Sequence, residues 1–171
     1  MPDILIPLHA IKGRGIAHRQ PHRFERDQRA AFDDGWGTLD AAADEGAAPP
    51  ATEVTWEDCK SAITRNDSPD IGFTLGLNPY RGCEHGCVYC YARPTHSYLN
   101  LSPGLDFETR IIAKRNIAAV LRDELLRQAY APDLLAIGTV TDAYQPVERE
   151  LRLTRQVLEV LHTARHPLAM V

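Results

Sequence analysis

The sequence predicts an α/β fold built from parallel βαβ units, preceded by a poorly structured N-terminal arm. Three observations carry this. From Ser61 onward, short continuous apolar runs alternate with amphipathic segments. Proline closes several of these segments. Before Ser61 the chain lacks apolar periodicity. Strand, helix, strand, helix, strand is the order of right-handed parallel crossovers.

Residues 1–55 read as an irregular arm, basic and then acidic. The basic stretch KGRGIAHRQPHRFER runs from Lys12 to Arg26, and an Ala/Asp/Glu/Gly/Pro-rich segment containing DEGAAPP runs from Ala30 to Thr52. Such composition buries too little apolar surface to offset the entropy of ordering. The basic stretch can contact phosphates, or it can be a solvated tail that docks on its own domain.

Residues 56–171 read as the folded part. Ile71–Leu77, IGFTLGL, is a short strand closed by Asn78-Pro79. Lys114–Tyr130 is a helix with Ile117, Val120, Leu121 and Leu125 on one face and Arg122, Asp123 and Arg127 mostly opposite. Ala131-Pro132 stops it. Leu134–Thr141, LLAIGTVT, has the continuous apolar character of a buried parallel strand. Pro146 suits a first helical turn, and Val147–Thr163 is a second helix with Leu151, Leu158 and Leu161 inward. His166-Pro167 breaks it, and a third apolar run covers Leu168–Val171.

The 171 residues are 44% hydrophobic and 25% charged with a net charge of −4, which fits a soluble domain with a real core. That slight acidity argues against nonspecific DNA binding through the whole surface. No apolar run reaches the ~20 residues that span a bilayer. MPDILIPLHA has neither the cationic start nor the apolar length of a signal peptide. The expected location is cytoplasmic with no membrane association, and there thiols stay reduced.

Three of the four cysteines, Cys83, Cys87 and Cys90, fall within NPYRGCEHGCVYCYAR, just after the first predicted strand. Thr141 and Asp142 end the second. In parallel sheets ligands sit at the carboxyl ends of strands, so both features point to one edge. A disulfide leaves an odd cysteine. A zinc site needs a fourth ligand, from Cys59 or His85. Gly82 and Gly86 interrupt any helix across the cysteines, and a glycine-bearing loop can wrap a bulky cluster with its amides toward the sulfurs. A [4Fe-4S] cube held by three thiolates keeps one iron open to a substrate or cosubstrate.

These residues resemble the radical S-adenosylmethionine superfamily, whose members carry C-x-x-x-C-x-Y-C in a loop after the first strand of a βα unit. RNDSPDIGF, NPYRGCEHGCVYCYARPTHSYL, SPGLDFETRI and GTVTDAYQPVERELRLTRQVLEVL are similar to the spore-photoproduct-lyase-like, or DNA-repair-photolyase-like, branch. KGRG and HRFE near the N-terminus look like that branch's leader. The resemblance implies the N-terminal part of a partial (β/α)6 TIM-like barrel. It implies that Cys83, Cys87 and Cys90 ligate a [4Fe-4S] cluster whose open iron is chelated by S-adenosyl-L-methionine. One electron, from a donor such as flavodoxin or ferredoxin, would then give methionine and a 5'-deoxyadenosyl radical, which abstracts hydrogen from substrate. Tyr89 is placed beside the adenine, or packs the loop core. Thr141 and Asp142 receive the methionine amino group, or Asp142 caps the next helix. Arg81, His85, Tyr91 and Arg93 flank the cluster, tuning its potential or simply solvated.

Two departures from the branch stand out. The chain reaches Val171 at about the third strand, so about half of such a barrel is absent and the expectation is a truncated core. The resemblance implies a lyase-like enzyme of DNA repair acting on nucleic acid, but no cysteine follows Cys90 to act as the spore lyase's hydrogen donor, so photoproduct-lyase activity itself is not assigned. Three functions remain: a radical S-adenosylmethionine enzyme or its cluster-binding part, a non-catalytic iron-sulfur or zinc module, and a nucleic-acid-binding protein using its basic leader.

Overall fold

The computed structural model describes residues 14–16, 19–24 and 50–171. Its described strands are β1 (Glu53–Glu57), β2 (Thr64–Arg65), β3 (Leu75–Leu77), β4 (Tyr80–Arg81), β5 (Arg110–Lys114), β6 (Leu135–Ile137) and β7 (Leu168–Met170). The helices are α1 (Leu105–Thr109), α2 (Ile117–Leu125), α3 (Glu148–Leu151) and α4 (Leu153–Ala164), with a 3-10 helix at Arg93–Leu99. Among the described residues no helix is long and apolar enough to cross a membrane.

The predicted strand–helix alternation is present. One sheet has the order β2-β3-β6-β7, with β3, β6 and β7 mutually parallel and β2 antiparallel on β3. Leu75, Leu77, Leu135 and Ile137 from β3 and β6 pack with Ile117 and Leu121 of α2 and Val157 and Leu161 of α4. Each is at most 1% exposed, and full burial of such a side chain contributes about 1.5–3 kcal/mol. A second sheet, β1-β5-β4, was not foreseen. There β1 runs parallel to β5, and β4 runs antiparallel to it. The result is a mixed α/β fold with two mixed sheets and no closed barrel among the described residues.

Element boundaries differ from the sequence expectation for local reasons. Ile71 and Gly72 lie in an exposed turn, so β3 starts at Leu75 rather than Ile71. Lys114 belongs to β5, pairing with Glu57, and α2 begins only at Ile117. Gly138, at φ +88°, turns the chain away directly after β6, so the strand ends short of Thr141. The single helix expected over Val147–Thr163 is two helices, split at Arg152 with φ 55°. Glu148 explains the break: its carboxylate accepts the Thr154 and Arg155 amides at 3.0 and 3.1 Å, satisfying the first turn of α4. β1 begins at Glu53, ahead of the predicted start of the folded part at residue 56. Most of the acidic segment lies outside the described residues.

Candidate functional site

The cysteine loop leaves the carboxyl end of β3 and is fixed at its first residues from several directions. Asn78 is buried, accepts the Val140 amide at 3.1 Å and donates to the Thr139 hydroxyl at 3.1 Å, tying the loop root to the segment after β6. Lys114 donates to the Asn78 carbonyl at 2.9 Å. Gly82 takes φ +84°, and a Cβ there would approach the Phe107 carbonyl and the His96 ring to 2.9 Å. Glycine is therefore required at this turn.

Thr141 and Gln145 grip the backbone on both sides of Cys83. Thr141 donates its hydroxyl to the Gly82 carbonyl at 2.6 Å. The Gln145 amide nitrogen donates to the same carbonyl at 3.3 Å and to the Thr141 hydroxyl at 3.0 Å. Its amide oxygen accepts the Glu84 amide at 3.1 Å. Both side chains are buried. The Glu84 carboxylate in turn accepts the Thr52 hydroxyl at 2.5 Å and the Val147 amide at 2.6 Å, joining the loop to the chain before β1 and to the start of α3.

All four cysteines are free. Cys59 belongs to the main core, its backbone held by the Asn116 side chain at 2.8 and 3.0 Å. Cys83 and Cys90 belong to a separate small cluster with Ala92, Phe107 and Val140. Burial pushes the Cys83 thiol above its ordinary range, outweighing the pull of the His85 and Asp142 backbone amides. The negative charges of Asp142 and a Cys90 thiolate push it further up.

Asp142 and His85 face each other across the mouth of the loop, with Oδ2 to Nε2 at 3.4 Å and each side chain nearly half exposed. Asp142 Oδ1 also accepts the Tyr144 amide at 2.7 Å. That bond caps a turn, not α3, which starts at Glu148. The Thr141 hydroxyl is occupied inside the fold, whereas the Asp142 carboxylate is open to solvent on one side. Tyr89 is 86% exposed, which excludes the core-packing role weighed for it. Tyr91 is also exposed, and its hydroxyl donates to the Thr139 carbonyl. Arg81 pairs with Glu57 at 3.1 Å on the β4 edge.

Arg93 is no solvated flank. It is 5% exposed and donates to the Cys87 carbonyl at 3.0 Å, the Gly104 carbonyl at 3.2 Å and Glu108 Oε1 at 2.6 Å. Glu108 is fully buried and also accepts the Gly15 and Ile16 amides at 2.8 and 3.1 Å. Arg14 donates to the Glu108 carbonyl, the Pro50 carbonyl and the Thr52 hydroxyl at 2.8, 2.9 and 3.1 Å. Arg14 and Gly15 of the KGRG stretch are thus docked under the cysteine loop. Glu84, Gln145 and Glu108 were missed by sequence reasoning, because polar residues in loops and short helices carry no periodic signal. Their one hint was position, close to the cysteine loop or within SPGLDFETRI.

Among the described residues, no group of three or more His, Cys, Asp or Glu side chains converges to hold a metal ion. The donor chemistry nevertheless fits a soft cation. Three free thiols share one loop, and the Cys83 thiolate is disfavoured only by burial and neighbouring negative charge. A bound cation would offset the neighbouring negative charge and stabilise a buried thiolate.

The chain is 40% identical over 127 residues to the uncharacterized protein Rv2578c of Mycobacterium tuberculosis, covering 72% of this chain and 37% of that protein. The uncharacterized protein Mb2609c of Mycobacterium bovis matches to the same extent. The uncharacterized protein MJ0683 of Methanocaldococcus jannaschii is 29% identical over 83 residues, covering 48% of this chain and 29% of its own. The alignments thus span little more than a third of the mycobacterial relatives' length. No family profile matches the chain, and no solved structure matches it.

Proposed function

We propose that this chain carries the cluster-binding part of a radical S-adenosylmethionine enzyme of the spore-photoproduct-lyase-like branch. The observation that carries the reading is the placement of Cys83, Cys87 and Cys90. They lie on a loop at the carboxyl end of β3, beside Thr141 and Asp142 at the carboxyl end of the neighbouring parallel strand region. On this reading β3, β6 and β7 are the first three strands of a partial (β/α)6 barrel. Their sequential parallel order supports that.

Cys83, Cys87 and Cys90 would hold a [4Fe-4S] cluster. When bound, that group would supply the electron that cleaves S-adenosyl-L-methionine to methionine and a 5'-deoxyadenosyl radical. The chain's own residues position and shield. Thr141 and Gln145 fix the backbone around Cys83, and Arg93 fixes the Cys87 carbonyl. Asp142 offers a carboxylate to the methionine ammonium. Tyr89 is exposed at the loop and free to cover an adenine. Flavodoxin or ferredoxin is the class of electron donor this chemistry needs.

Anaerobic reconstitution tests the reading. About four irons per chain are expected, with an electron paramagnetic resonance signal of the reduced protein that changes on adding S-adenosylmethionine. Iron without that response would favour a non-catalytic iron-sulfur module. Stoichiometric zinc held with Cys59 would sink both. A nucleic-acid role for the basic leader is a second reading: Arg14 is engaged by Glu108, Pro50 and Thr52, whereas Arg19 and Arg23 are exposed, and salt-dependent nucleic-acid binding tests it.

A further inference from the structure

We propose that the leader residues Arg14, Gly15 and Ile16 form an intramolecular clamp on the cysteine loop, with Glu108 as the positioning residue that joins the two. The link to metal retention rests on the function proposed above; the clamp itself does not.

The Glu108 carboxylate has no solvent exposure and accepts three hydrogen bonds. Two come from the leader, the Gly15 amide at 2.8 Å and the Ile16 amide at 3.1 Å. The third comes from Arg93, at 2.6 Å. The same Arg93 guanidinium reaches the Cys87 carbonyl at 3.0 Å. One buried ion pair therefore connects leader backbone to a cysteine of the loop. Buried charges require such pairing, and loss of a partner exposes the full desolvation penalty.

Leader and loop also touch directly, backbone to backbone. A Cβ on Gly15 would lie 1.6 Å from the Gly86 carbonyl oxygen, which no side chain can occupy. Gly86 immediately precedes Cys87, adopts φ +66°, and a Cβ there would lie 2.8 Å from both Glu108 Oε2 and the Gly15 nitrogen. Two glycines pressed together over a buried carboxylate leave the loop little room to open. Displacing the leader removes two acceptor contacts from Glu108 and the wall behind Gly86, freeing the Cys83–Cys87 half of the loop. This gives Arg14, Gly15 and Ile16 a function as part of the thiol site.

Cysteine-by-cysteine alkylation of the full, metal-free chain, read by mass spectrometry, tests the clamp. Gly15→Ala should speed labelling of Cys83 and Cys87 at least tenfold while Cys59, in the separate main core, stays slow. Gly72→Ala is the control, since nothing lies within 4 Å of a Cβ at that position. Glu108→Gln, which keeps the shape but loses the charge, should act in the same direction as Gly15→Ala and stands in for it should that variant not fold. Wild-type labelling rates in both variants overturn the clamp, and so does equal acceleration at Cys59, which signals global unfolding. Reduced iron retention in Gly15→Ala against wild type ties the clamp to the metal reading. A wild-type chain that takes up no iron while the labelling still responds supports the clamp and overturns the metal reading alone.

Discussion

The Thr141 hydroxyl donates to the Gly82 carbonyl at 2.6 Å, fastening the segment after β6 to the residue that precedes Cys83. The two positions are 59 residues apart in sequence. The bond is buried, and Gln145 completes it by donating to both groups. The cysteine loop is therefore held by the neighbouring strand region before any ligand arrives.

Thr141→Val keeps the side-chain shape and removes the donor. Gln145 then loses its hydroxyl acceptor in a buried setting. The expected loss is about 1–3 kcal/mol of stability, seen as a lower denaturant midpoint with an unchanged slope. An unchanged midpoint would show that the strap contributes nothing to the fold.

On the proposed function the cysteines separate by role. Replacing Cys83, Cys87 or Cys90 with Ala should abolish reconstitution to about four irons per chain. Cys59→Ala should lower stability, because Cys59 sits in the main core, and leave iron content intact. Retention of full iron content by a Cys87→Ala chain contradicts the three-thiolate assignment.

Acid should destabilise the fold in part through His96. The ring is fully buried, and Nε2 lies 3.0 Å from the Arg110 carbonyl, which can only accept, so Nε2 carries the proton. Nδ1 has no hydrogen-bond partner among the described residues. Burial holds the His96 pKa below its ordinary value, with Arg81 adding to the effect and Asp106 and the Arg110 carbonyl opposing it. The unfolded chain takes up this proton near its ordinary value of about 6.5, before the folded chain does. Stability contributed at neutral pH is thus lost as pH falls below about 6.5 and levels off beneath the folded value. Denaturant midpoints at pH 7.5 and pH 5 should differ, and His96→Gln should shrink that difference. An equal difference in the variant assigns the effect to other groups.

The sequence made the parallel strands legible because β3, β6 and β7 are apolar runs between amphipathic segments, and burial of such runs dominates folding. It made the thiol loop legible because three cysteines in eight positions have few structural uses. The β1-β5-β4 sheet was hidden: RIIAK is continuous with the amphipathic pattern of α2, and only pairing with EVTWE settles it as a strand. The break at Arg152 was hidden for a similar reason, since it depends on Glu148 capping α4 from four residues upstream. Glu108 and Gln145 act through tertiary hydrogen bonds to backbone atoms, which leave no trace in local sequence.

On the proposed function, Asp142 is the residue that recognises the cosubstrate at the loop mouth. Its carboxylate does two things at once: Oδ1 caps the turn at Tyr144, and Oδ2 faces His85. Asp142→Asn preserves an acceptor for the Tyr144 amide and removes the charge, whereas Asp142→Ala removes both. A charge-assisted bond to an ammonium contributes roughly 1.5–3 kcal/mol. Loss of it should weaken S-adenosylmethionine binding about tenfold or more in both variants, because about 1.4 kcal/mol is a factor of ten. Iron content should stay unchanged in both. Affinity is read on the reconstituted chain from the spectral change on adding the cosubstrate. Should Asp142→Asn bind normally while Asp142→Ala loses thermal stability, the carboxylate serves only the turn. The methionine ammonium would then need another partner, and the buried, already bonded Thr141 hydroxyl is poorly placed to supply it.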